Sequence, residues 1–83
     1  MTKKELLSKL TDIVSEVLNV KPESIRVQSS FMKDLNATYV DVGMLFMEVE
    51  DKFGLKISNA EQAEITNVQM LCDYLVKKLK ISR

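Results

Sequence analysis

The sequence predicts an all-α fold: a small helical bundle with three main helices, one short helix and a long first loop. Three observations predict it. Apolar residues recur at helical spacing in three long segments. Ser or Thr followed three positions later by an acid or Gln, the pattern of a capping box, opens four segments. Sustained alternation of apolar and polar residues is missing, and Gly54-Leu-Lys-Ile-Ser58 is too short to carry a sheet.

The first helix is expected from about Lys3 to Leu18, opened by Thr2 and Glu5. Leu6, Leu10, Ile13, Val14, Val17 and Leu18 form its inner stripe, with Lys9, Asp12 and Glu16 outside. The following connection breaks the helical period. Pro22 suits the first position of a short turn, and Ile25, Val27, Phe31 and Leu35 read as anchors to the core. A loop of this length in so small a domain has a task or is well packed. The second helix is expected from about Tyr39 to Phe53, opened by Thr38 and Asp41, with Val42, Leu45, Phe46, Val49 and Phe53 inward. A short third helix spans Asn59 to about Ile65 behind Ser58 and Glu61. The fourth runs from Asn67 to about Leu79, opened by Thr66 and Gln69, and buries Val68, Leu71, Cys72, Leu75 and Leu79.

Residues 1–83 are expected to form a single domain, close to the lower size limit for a chain that folds on its own core. Apolar runs fall short of the roughly 18 residues that span a bilayer, and the charged N-terminus lacks the apolar centre of a signal peptide. A cytoplasmic location follows as the expectation. The chain has no His, which removes the commonest general base and metal ligand and every His-activated nucleophile. Its one cysteine, Cys72, excludes an internal disulfide and falls in an apolar stripe. Neither an enzyme nor a metal site is expected.

Net charge is zero but unevenly spread. Asp34, Asp41, Glu48, Glu50 and Asp51 lie in one stretch without Lys or Arg, while Lys3, Lys4, Lys9, Lys77, Lys78, Lys80 and Arg83 sit toward the tips. The acids read as either a solvated face or a patch for a basic partner. Basic residues are not gathered with aromatics, so a nucleic-acid partner is not expected. In the second helix Val40, Met44 and Met47 form an extra apolar stripe beside the core stripe, next to Asp41, Glu48 and Asp51. That stripe widens the core face or meets a partner, for which adaptable Met is well suited. Gly43 in the same helix costs about 1 kcal/mol relative to Ala; it serves a close approach or is simply tolerated.

The stretch from Phe31 to Leu75 resembles the central part of an acyl carrier protein. Phe31, Asp34, Leu35 and Ala37 lead into the second helix in the family's register. Asp41, Leu45, Met47, Glu50, Asp51, Phe53, Ile57, Thr66, Val68 and Tyr74 continue it without gaps. The first helix and loop correspond too, so the resemblance covers nearly the whole chain. It implies a carrier fold whose second helix meets acyl-processing or acyl-transfer enzymes through Val40, Asp41, Met44, Met47, Glu48, Glu50 and Asp51. Met44 and Lys52 depart from the family's acidic pattern.

The family attaches phosphopantetheine through a serine at the start of that helix, and Tyr39 stands there, flanked by Thr38 and Val40. The phenol oxygen lies farther out on a rigid ring, and phosphoryl transfer depends on ångström-level positioning. Thr38, Ser29 and Ser30 are not replacements. The expectation is therefore a monomeric docking module of lipid or polyketide-type metabolism without a cofactor. The alternatives are a working carrier with an atypical attachment residue, which would bear phosphopantetheine, and an unrelated helical interaction module.

Overall fold

The computed structural model describes residues 1–81; Arg83, part of the expected basic tip, lies outside them. Four α-helices are present: α1 (Lys3–Leu18), α2 (Tyr39–Phe53), α3 (Asn59–Glu64) and α4 (Val68–Leu79). A 3₁₀ turn, Pro22–Ser24, interrupts the first connection, with the proline at its first position as expected. Strands are absent among the described residues; an isolated antiparallel bridge joins Ser30 to Asn67.

The start signals work as capping boxes in three of four cases. Thr2 Oγ1 accepts the Glu5 N–H (3.1 Å) while Glu5 Oε1 accepts the Thr2 N–H (3.0 Å). Thr38 and Asp41 repeat this at 3.1 and 3.0 Å, and Ser58 and Glu61 at 3.1 Å in both directions. Each box satisfies two backbone donors that a helix start leaves without partners.

The fourth start is one residue later than expected. Asn67, not Thr66, caps α4, its Oδ1 accepting the Met70 N–H at 2.8 Å. The cause is a long-range pairing. The Thr66 carbonyl accepts the Phe31 N–H of the loop (3.0 Å), and Asn67 is held extended by the bridge to Ser30. The backbone turns helical only after that contact. Gln69 consequently does not reach back, and its amide donates to Asp73 instead (3.0 Å). Likewise α3 ends at Glu64, one residue short of the expected end, because Ile65 is extended and turned into the core.

Inward residues of α1, α2 and α4 form one cluster with Phe31, Leu35 and Ala37 of the long loop. α1 packs against both α2 and α4. Leu6, Leu10, Leu45, Phe46, Val49, Leu71 and Leu75 are fully buried, as is Cys72, whose thiol pKa burial pushes up. Val17, Leu18, Val42, Phe53 and Leu79 only border the core, and Val76, outside the expected stripe, is buried. In the loop, Phe31 and Leu35 are the firm anchors, while Ile25 and Val27 are half-buried. Ala37 N–H also donates to Phe31 O (2.8 Å), so the loop is packed and hydrogen-bonded along its second half.

α3 is held differently. It has no buried residue of its own and hangs between buried Ile57 and Ile65. Polar ties hold it: Glu50 Oε2 accepts the Ile57 N–H (2.8 Å), Gln62 donates to Ile57 O (2.9 Å), and the Tyr74 hydroxyl donates to Glu61 (3.1 Å). Partial burial, then the Glu61 carboxylate it serves, raise the Tyr74 phenol above its ordinary pKa. Among the described residues, no helix is long and apolar enough to cross a membrane, and no cluster of three metal-ligating side chains occurs.

Candidate functional site

The start of α2 brings together the features singled out in the sequence. The Thr38–Asp41 box begins the helix without any help from Tyr39. Tyr39, the first helical residue, is 86% exposed, and Val40 beside it is 71% exposed. Met44 and Met47 follow on the same flank, each more than half exposed. Because Leu45, Phe46 and Val49 already fill the inward face, the second stripe is no extension of the core. Four side chains on one flank thus present a contiguous apolar patch to water rather than scattered exposed residues.

The acids expected along this face divide into two kinds. Asp41 is occupied by the capping box and Glu50 by the Ile57 N–H, so both are committed to holding backbone in place. Glu48 is half-buried, and Asp51 alone of the four is well exposed. Charge at the rim is therefore thinner than the sequence suggests.

Beside Tyr39 an open groove of about 660 Å³ lies between the long loop, α2 and α3. Phe31, Val42 and Ile65 give it an apolar floor, and Lys33, Asn59 and Gln62 polar sides. Gly43 also lines it, and a Cβ there would meet nothing within 4 Å. No internal packing demands the glycine; it leaves the groove wall bare. Lys33, Asn59 and Gln62 were not anticipated from sequence, because three separate segments must fold before they face one space.

Three aliphatic hydroxyls near the head of α2 are engaged with backbone. Thr38 Oγ1 accepts from Asp41 (3.1 Å), Ser30 Oγ from the Lys33 N–H (3.2 Å), and Ser29 Oγ, buried, from the Arg26 N–H (3.1 Å).

A small helical unit with an exposed apolar flank and an adjacent groove at the head of its second long helix has the form of a carrier domain, and comparison with known proteins agrees. Residues 8–75 match the family model described as a phosphopantetheine attachment site. The acyl carrier protein of Cyanidium caldarium is 35% identical over 79 residues, covering 95% of this chain and 92% of that one. That of Chlorobium phaeovibrioides is 36% identical over 78 residues, covering 94% of this chain and 100% of that one. A solved structure of the acyl carrier protein from Enterococcus faecalis superposes with a TM-score of 0.77 at 32% identity, covering 93% of this chain and 98% of that one.

The chain belongs to the acyl carrier protein family. Members of that family are carriers and not enzymes, and phosphopantetheine is the prosthetic group the family implies. Membership also sets aside an unrelated helical module.

Proposed function

We propose that this chain is a cytoplasmic docking module of lipid or polyketide-type metabolism, a single monomeric domain that binds acyl-processing enzymes without bearing phosphopantetheine. One observation carries the reading: Tyr39, largely exposed at the first position of α2, occupies the place where the resemblance puts the attachment serine. A helix start favours a phosphodiester electrostatically, but the group must be delivered to an oxygen close to the backbone. The phenol oxygen stands at the far side of an aromatic ring, and Thr38, Ser29 and Ser30 turn their hydroxyls to backbone partners. The side chains present do not fit the group in its usual linkage.

The docking surface in this reading is the exposed flank Tyr39, Val40, Met44 and Met47, with Glu48 and Asp51 at its edge and Asp41 and Glu50 shaping the helix ends. Less acid and more apolar area favour partner choice by shape over long-range steering.

Intact-mass measurement after incubation with coenzyme A and a broad-specificity phosphopantetheinyl transferase tests the reading. The mass is expected to stay unchanged, and an adduct on Tyr39 overturns it. Tyr39→Ser is the companion variant. The groove beside Tyr39 favours a second reading, a working carrier with an atypical attachment residue, since it offers room next to that position. Under that reading Tyr39→Ser takes up the group readily and transfers acyl chains; refusal by the variant counts against it.

A further inference from the structure

All five methionines stand outside the core, each between 44% and 64% exposed. Methionine usually goes inside, yet here Leu, Val, Ile and Phe fill the interior. The remaining sulfur, Cys72, is sealed in the core, where burial keeps it in the unreactive thiol form. Oxidisable sulfur is therefore partitioned, with thioethers facing water and the thiol shut away. Met70 is a special case, its Sδ accepting the Thr66 hydroxyl (3.3 Å) and N–H (3.5 Å) at the head of α4. Met44 and Met47 are three residues apart on the exposed flank of α2, so they are neighbours on one helix surface.

We propose that Met44 and Met47 form a reversible oxidation site through which a peroxide converts the exposed face of α2 from apolar to polar. In the step, the thioether sulfur attacks one peroxide oxygen, the O–O bond breaks, and a sulfur–oxygen bond forms. With hydrogen peroxide, the oxygen bound to sulfur gives its proton to the departing hydroxide, which leaves as water; sulfur is oxidised by two electrons and the peroxide reduced by two. The fold tolerates the change because neither side chain belongs to the core, whose share of α2 is Leu45, Phe46 and Val49. Control of docking by this oxidation rests on the reading of that face as the docking surface; the oxidation site itself does not. Where a partner covers the flank, each sulfoxide is expected to weaken binding about tenfold, the loss of roughly half a buried Met side chain.

The test treats the full chain with hydrogen peroxide and follows peptide mass, native retention on a hydrophobic-interaction column, and helical circular dichroism. Met44 and Met47 are expected to gain oxygen before Cys72 reacts, retention to shorten, and the melting temperature to hold. Methionine sulfoxide reductases should restore both mass and retention. Met44→Leu/Met47→Leu should lose most of the retention shift although the other methionines still oxidise. Oxidation of the pair no faster than Cys72 overturns the proposal. So does a melting temperature that falls in step with their oxidation, or an undiminished shift in the double variant. The column needs no partner. If the unoxidised chain binds no acyl-processing enzyme, control of docking falls with the docking reading, while these outcomes still decide the oxidation site.

Discussion

The two flanks of α2 are built from residues of similar hydrophobicity and meet opposite fates. Leu45, Phe46 and Val49 are sealed against α1 and the loop, whereas Val40, Met44 and Met47, on the same helix, face water. The inward set is branched or aromatic and fixes one packing arrangement. The outward set includes two unbranched thioethers that adapt to whatever shape covers them. The difference teaches that hydrophobic content alone says little about where a helix is stabilised. Side-chain shape, and what the neighbouring elements leave uncovered, separate the face that holds the fold from the face left to solvent.

Substitutions on the two flanks should separate accordingly. The largest effect is expected for Phe46→Ala, at about 3–5 kcal/mol of stability from lost transfer energy and the cavity left behind; denaturant unfolding measures it. Glu50→Ala comes next. It removes the carboxylate that accepts the Ile57 N–H, and a loss of about 1–2 kcal/mol is expected, with faster amide exchange at Ile57. Thr38→Ala removes the N-cap of α2 and should cost about 1 kcal/mol in thermal unfolding. Met47→Ser, on the outward flank, should change stability by no more than about 0.5 kcal/mol while weakening capture by acyl-processing enzymes in a binding titration. Were Met47→Ser to unfold the protein as Phe46→Ala does, the contrast between the flanks would collapse.

The mildest expectation concerns acid. The Ser58 backbone N–H, then the Ser58 hydroxyl, hold Glu61 below its usual value of 4.5, with smaller help from Tyr74 and Lys78. The Thr2 backbone N–H lowers Glu5 in the same way. A carboxylate with a depressed folded pKa contributes stability that is complete above its unfolded value. That contribution fades as pH falls through the folded value. Both boxes are exposed, so the effect is small. Melting temperature should decline below pH 4.5, and less so in Ser58→Ala.

Much of this architecture could be read before folding was considered. Helix periods, caps and the loop anchors Phe31 and Leu35 depend on residues near each other in sequence, and they emerged with boundaries within one residue. The start of α4 shifted by that one residue, because the bridge between Ser30 and Asn67 joins segments far apart in the chain. Tyr39, Val40, Met44 and Met47 were legible as an unusual stripe, but only the packed structure separates an outward face from a wide core. Glu50 looked like a surface acid until its carboxylate met the Ile57 N–H across the turn after α2. The groove was invisible for the same reason, since Lys33, Val42 and Gln62 share a space only after three elements assemble.

The suspension of α3 from two buried isoleucines has a kinetic consequence. A six-residue helix without an interior side chain forms a weak cooperative unit, and such units open at a fraction of the free energy needed to unfold the whole. Amides of residues 59–64 should therefore exchange with solvent well ahead of those in α1 and α4. Because Asn59, Gln62 and Ala63 of α3 line the groove, local opening of α3 would uncover one side of the space beside Tyr39 while the three long helices stay packed.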